Sequence, residues 1–96
     1  MTPEGKVKAA VNQLLGRYHL WRFAPVPGGF GKSALDYIIC FNGKFLTIET
    51  KAPGGWLTPL QRQCAWEIHE AGGTVFFISS SDGLKALERW LERHDQ

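Results

Sequence analysis

The sequence contains little cysteine and no long apolar run, and each shortage excludes classes of protein. Only two of the 96 residues are cysteines, Cys40 and Cys64, and they lie apart in apolar segments. Two such isolated residues build neither a disulfide framework nor a metal cluster, so we expect buried thiols. No segment approaches the roughly 18 apolar residues of a membrane span, and the start lacks a signal peptide's apolar region. We therefore expect an intracellular, cytoplasmic protein without membrane contact.

An excess of charge of one sign is also missing. Eleven Lys and Arg against nine Asp and Glu give a net charge of +2, which many ordinary domains carry and which points only weakly to a polyanionic partner. This indication of a polyanionic partner becomes stronger if some of the acidic residues bind a divalent cation, because the cation cancels their repulsion of phosphate. Hydrophobic residues make up 44% of the chain, enough for a core, and the length predicts a single domain over residues 1–96.

The clearest element is a β-hairpin formed by residues 35–41 and 44–51. Asn42-Gly43 between two apolar runs favours a two-residue type I′ turn. That turn places Phe41 opposite Lys44, and the same register places Asp36 opposite Glu49. Both faces of the hairpin carry apolar residues, so we expect it to be central in its sheet and covered on both sides.

The remaining pattern predicts an α/β fold of element order αβββαβα. A first helix begins at Thr2-Pro3 and ends near Gly16; residues 18–24 alternate like a strand, and the Pro- and Gly-rich residues 25–33 form a loop. After the hairpin, residues 58–61 form a capping box that begins a helix through about Ala71. Residues 74–79 predict another covered strand, and Ser81 or Asp82 caps a last helix.

Asp36 and Glu49 are like charges on directly paired strand positions, an arrangement that is destabilising. Two buried carboxylates are tolerated if one holds a proton or if a hard cation such as Mg²⁺ lies between them. Lys51 lies on the same face of the same strand as Glu49 and can orient or deprotonate a water, or stabilise charge on a phosphoryl oxygen. Glu4, on the inward face of the first helix, can complete the cluster.

Simpler explanations exist for each of these residues. In a frayed or slipped hairpin both acids would reach water, and Lys51 would be an ordinary lysine at a strand end. Gln61 is explained by the capping box alone, and Glu4 by the favourable position of an acid in a first helical turn.

Asp36, then Glu49-Thr50-Lys51, then Gln61 resemble the PD-(D/E)XK nuclease pattern. The glycine loop, LDYIICFNGKFLTIETK, LTPLQ and AGGTVFFIS are similar to the VRR-NUC branch of that superfamily, whose small stand-alone members are similar to Holliday junction resolvases. The resemblance spans roughly residues 4–80. It departs from the pattern at Leu35, which replaces the proline before the Asp. The resemblance implies a restriction-endonuclease-like core, a mixed sheet whose central hairpin is flanked by helices.

The same resemblance implies the roles of the site residues. It implies that the ligands of Mg²⁺ or Mn²⁺ are Asp36, Glu49 and the carbonyl of Thr50. Lys51 works on the attacking water, and Gln61 helps to hold the site. Glu4 matches the helical acid of the family and supports metal binding. The implied catalytic residues are therefore Asp36, Glu49, Lys51, Gln61 and Glu4.

The expected function is that of a metal-dependent, structure-selective DNA endonuclease that hydrolyses phosphodiester bonds, with the Holliday junction as its substrate. A homodimer would supply two active sites for two strands, and the resemblance is compatible with a small phage-encoded enzyme. Candidate phosphate contacts are Lys32, Lys6, Lys8 and Arg62. Phe30 and Trp56, in Gly-rich loops, are the aromatic residues expected to touch DNA or a partner subunit. The alternatives are a nonspecific, flap or nicking nuclease, or a catalytically inactive nucleic-acid-binding module.

Overall fold

A computed structural model describes residues 1–25 and 35–95 of the chain, and in these residues the order αβββαβα is confirmed. The predicted loop at residues 25–33, with Phe30 and Lys32, lies outside the described residues except for Pro25. The helices are α1 (Pro3–Leu15), α2 (Pro59–Glu70) and α3 (Ser81–His94). The strands are β1 (Trp21–Phe23), β2 (Tyr37–Phe41), β3 (Lys44–Thr50) and β4 (Thr74–Ile78).

The strands form a mixed sheet in the order β1-β2-β3-β4. β1 pairs with β2, and β2 with β3, in antiparallel orientation, whereas β3 and β4 run parallel and α2 connects them. The hairpin register is confirmed, with Tyr37 opposite Ile48 and Phe41 opposite Lys44. Asn42 and Gly43 have φ angles of 50° and 79°, the positive values that a type I′ turn requires.

One face of the sheet carries the core. Helices α1 and α3 pack there and bury Val11, Leu14 and Leu15 from α1 and Leu87 and Leu91 from α3. The strands add Tyr37, Ile39, Phe41, Leu46, Ile48 and Ile78. These residues alternate along β2 and β3, so every second side chain of the hairpin faces the two helices.

The opposite face corrects the prediction that the hairpin is covered on both sides. Phe45 and Cys40, which are paired across β2 and β3, are exposed, and so are Trp21 and Phe23 on β1. Helix α2 packs against β4, at the far edge of the sheet from β1, and therefore leaves β1 and β2 without a cover. The expectation of two buried thiols is also wrong. Cys40 lies on this uncovered face and is exposed, and Cys64 is only partly buried.

The starts of two of the three helices agree with the sequence prediction. The Thr2 hydroxyl accepts a hydrogen bond from the Gly5 N–H at 3.0 Å, and Gly16 follows the last residue of α1. The capping box of α2 is present in full. Helix α3, however, is preceded by Ser80 rather than capped by Ser81 or Asp82, and the Ser80 side chain makes no capping hydrogen bond. Within residues 1–25 and 35–95, none of the helices combines the length and apolar character needed to cross a membrane.

Candidate active site

The open end of the hairpin, opposite its Asn-Gly turn, brings three predicted site residues together. Asp36 directly precedes β2, Glu49 lies near the end of β3, and Lys51 follows β3. The backbone N–H of Asp36 donates a hydrogen bond of 3.1 Å to Glu49 Oε1. The frayed hairpin, in which both acids reach water, is wrong, because Glu49 is only 3% exposed.

Asp36 is held by Thr50. Both the backbone N–H and the hydroxyl of Thr50 donate to Asp36 Oδ2, at 2.9 Å and 2.6 Å. Thr50 is fully buried, so the hydroxyl orients the carboxylate from inside the core. The predicted contribution of Thr50 was limited to its carbonyl. The role of its hydroxyl was not predicted, because a threonine on a strand is an ordinary β-forming residue.

Glu49 is held by Gln61 and lies beside Lys51. The Gln61 side-chain amide donates to Glu49 Oε2 at 2.9 Å, and Lys51 Nζ lies 3.6 Å from the same oxygen. The Gln61 side-chain carbonyl meanwhile accepts from the Thr58 N–H at 2.9 Å. The capping-box explanation of Gln61 is therefore confirmed, and the same side chain also binds the Glu49 carboxylate.

The negative charge of the Glu49 carboxylate is only partly compensated by its surroundings. Burial raises the pKa of Glu49 above its ordinary value, and the charge of Asp36 raises the pKa further. The hydrogen bond from Asp36 N–H and the ammonium group of Lys51 lower it by less. The pair of carboxylates thus has a net preference for an added positive charge, which a proton or a cation can supply.

Glu4 and Lys8 form a second ion pair at the edge of this site. Lys8 Nζ lies 3.5 Å from Glu4 Oε2 and 3.9 Å from Asp36 Oδ1. Burial lowers the pKa of Lys8, but the charges of Asp36 and Glu4 outweigh burial, and the pKa is raised. Glu4 was expected to complete the carboxylate cluster; the structure connects it to Asp36 through the Lys8 ammonium group.

Hard oxygen ligands for a metal are present, although few. Among residues 1–25 and 35–95, no three His, Cys, Asp or Glu side chains are grouped closely enough to hold an ion. The pair Asp36 and Glu49 nevertheless suits Mg²⁺ or Mn²⁺, because Mg²⁺ sites commonly use one or two carboxylates together with water and substrate phosphates. The raised pKa of Glu49 shows a carboxylate whose charge the protein does not fully compensate.

None of the site contacts described above involves Lys6, Arg62 or Trp56. Lys6 lines a cavity of about 380 Å³ between α1 and the start of α3. Arg62 is exposed on α2 directly after Gln61, and Trp56 is 63% exposed with its ring 4.9 Å from that of Phe77, edge to face. Lys32 lies outside the described residues.

The comparisons with known proteins add no relative. No model of a known protein family matches the chain, and no curated protein matches it either.

Proposed function

We propose that the protein is a metal-dependent DNA endonuclease similar to the VRR-NUC branch of the PD-(D/E)XK nucleases, with four-way junctions as its substrate. The observation that carries the proposal is the meeting of Asp36, Glu49 and Lys51 at the open end of one hairpin, with Gln61 bound to Glu49. A strand pair and a helix that are separate in sequence converge on two adjacent carboxylates. A surface ion pair would not need a buried threonine and a helix-cap glutamine to orient it.

Asp36 and Glu49, with the carbonyl of Thr50, are the groups that would hold Mg²⁺ or Mn²⁺. Bound there, the ion would lower the pKa of a water and offset negative charge on the phosphodiester. Thr50 fixes the Asp36 carboxylate and Gln61 fixes that of Glu49, so both ligands are oriented before DNA arrives. The Lys51 ammonium group, beside Glu49, is placed to donate a hydrogen bond to the attacking water or to a phosphoryl oxygen.

The uncovered sheet face supports a homodimer. We call the exposed residues Trp21, Phe23, Cys40 and Phe45 the open face; the strand pairings place them on one side of the sheet. The three aromatic side chains are 60%, 51% and 47% exposed, which corresponds to roughly 300 Å² of aromatic surface. That is already the size of the largest apolar patch on a typical monomer, and such patches are often functional.

The shape of this face suits a second copy of the chain. Beside Phe45 lies a groove of about 350 Å³ whose other wall is α2, with Cys64, Ile68 and Ala71. Trp21 and Phe23 stack on one another 6.3 Å apart and form a ridge. A twofold axis would bring the ridge of each copy to the groove of the other, because a twofold interface uses the same patch on both subunits. The resulting dimer would carry the two active sites that paired cleavage of a junction requires.

Cleavage of labelled four-way junction and of matched linear duplex with Mg²⁺ or Mn²⁺ tests the function. We expect paired, symmetric cuts in the junction and a loss of at least 100-fold in rate for Lys51→Ala, because Lys51 acts at the reacting atoms. Lys44→Ala is the matched control, since Lys44 lies on the same strand at the turn end.

Other outcomes distinguish the alternatives. Equal cutting of duplex and junction would indicate a nonspecific nuclease. Binding of the junction without cleavage, together with calorimetry that shows no Mn²⁺ binding dependent on Asp36, would indicate a catalytically inactive binding module.

A further inference from the structure

Lys8 lies at the edge of the carboxylate site rather than on a remote surface. Its ammonium group lies between the carboxylates of Glu4 and Asp36, and its side chain is 43% exposed. Lys51 has the corresponding position beside Glu49. The two carboxylates at the end of the hairpin are therefore flanked by two lysines, one from α1 and one from β3's end.

The charge balance of the site depends on Lys8. Three carboxylates, Glu4, Asp36 and Glu49, and two ammonium groups give the cluster a net charge of −1. A divalent cation would change this to +1, which attracts a phosphodiester. Without Lys8, the cluster with its cation would have a net charge of zero and would no longer attract the same substrate.

The contacts leave the Lys8 ammonium group able to bind substrate. At 3.9 Å its approach to Asp36 is an ion pair longer than a hydrogen bond, and an ammonium group has three N–H donors on a flexible stem. Asp36 Oδ2 is occupied by Thr50, whereas Oδ1 is the oxygen that faces Lys8. A cation entering beside Oδ1 would meet the ammonium group of Lys8.

We propose that Lys8 is a further catalytic residue, whose ammonium group keeps a second divalent cation away from Asp36 and donates a hydrogen bond to a non-bridging oxygen of the scissile phosphodiester. This inference rests on the proposed nuclease function. It assigns to one α1 side chain a role that limits the site to one cation and neutralises the charge that develops on the phosphate during attack by water.

Two measurements on Lys8→Gln test the inference, with Lys85→Gln as the control. Lys85 is an exposed lysine of α3, so its variant has the same net charge change. In calorimetry with Mn²⁺ and no DNA, Lys8→Gln should bind Mn²⁺ about three- to tenfold more tightly, or bind a second ion, because a competing positive charge is removed. In single-turnover cleavage at saturating junction, its rate should fall about 10- to 100-fold, and Lys8→Arg should recover most of that loss.

The outcomes separate this inference from the function on which it rests. Unchanged Mn²⁺ binding or an unchanged single-turnover rate in Lys8→Gln, with an active native protein, overturns the role of Lys8 alone. A native protein that neither binds Mn²⁺ nor cleaves overturns both. Circular dichroism melting of each variant establishes that the fold is intact, and Lys8→Met, which keeps the aliphatic stem, replaces Lys8→Gln if that variant is unfolded.

Discussion

At the scale of single residues, Glu49 carries an electrostatic cost that a bound cation would offset. Its carboxylate is almost fully buried next to that of Asp36, and hydrogen bonds from Gln61 and Asp36 N–H hold it in place. Because its pKa is raised, the folded protein binds a proton there more readily than the unfolded chain does. The stability that Glu49 contributes is complete below its ordinary pKa and is lost as the pH rises through the raised value.

Mn²⁺ should reverse this loss at neutral pH. We expect saturating Mn²⁺ to raise the melting temperature of the native protein at pH 7.5 by roughly ten degrees, since ligand at about 100 times its Kd adds about 2.7 kcal/mol. The rise should shrink as the pH falls through the raised pKa of Glu49, because the proton and the cation compete for one carboxylate. Thermal melts at a series of pH values, from neutral down to the ordinary pKa of a glutamate, measure it. Asp36→Asn serves as the control, and an equal Mn²⁺ effect in that variant would contradict the assignment of the ligands.

At the scale of elements, α2 links helix capping to the site. Gln61 accepts from the Thr58 N–H and donates to Glu49, so the start of the helix and the position of the carboxylate are set by one side chain. No residue of α2, all of which the structure describes, is buried. The helix therefore depends on its cap and on contacts with β4 more than a core helix would.

Two substitutions separate the capping role from the site role. Gln61→Glu keeps a capping box, because glutamate serves as well at that position, but it places a third carboxylate against Glu49. We expect little loss of helix content and a loss of cleavage of at least tenfold. Thr58→Ala removes the hydroxyl that accepts from Gln61 N–H at 3.2 Å and should cost about 1 kcal/mol in the free energy of unfolding.

Circular dichroism melts and single-turnover rates measure both variants. Unchanged cleavage by Gln61→Glu would show that Gln61 serves only as a cap. A Thr58→Ala variant that lost cleavage at full stability would contradict the separation of the two roles.

At the scale of the whole molecule, the open face is the proposed surface for the association of two copies of the chain. Phe23→Glu should convert a dimer into a monomer, since a charge would be buried at the centre of an apolar interface. Sedimentation velocity at micromolar concentration measures the change. Trp66→Glu is the matched control, because Trp66 is 62% exposed but lies outside the open face. A native protein that is monomeric at this concentration, or equal dissociation of both variants, would contradict the proposed surface.

The sequence by itself determined the hairpin and the meeting of Asp36 with Glu49. An Asn-Gly turn with positive φ at both residues fixes the register locally, and the register then extends to the pair of Tyr37 and Ile48, next to Asp36 and Glu49. The order of elements and the caps at Thr2 and Thr58 also follow from short-range patterns. These features need no information about distant parts of the chain.

The covered face of the sheet and the side chains that contact the carboxylates depend on tertiary packing. Both faces of β2 and β3 carry apolar residues, so the sequence pattern does not distinguish them. Because α2 packs against β4, Phe45 and Cys40 stay exposed. The ion pair from Lys8 to Asp36 and the bond from Gln61 to Glu49 each join elements that are distant in sequence. Such contacts depend on how helices pack against the sheet, and a local pattern of residues does not encode that packing.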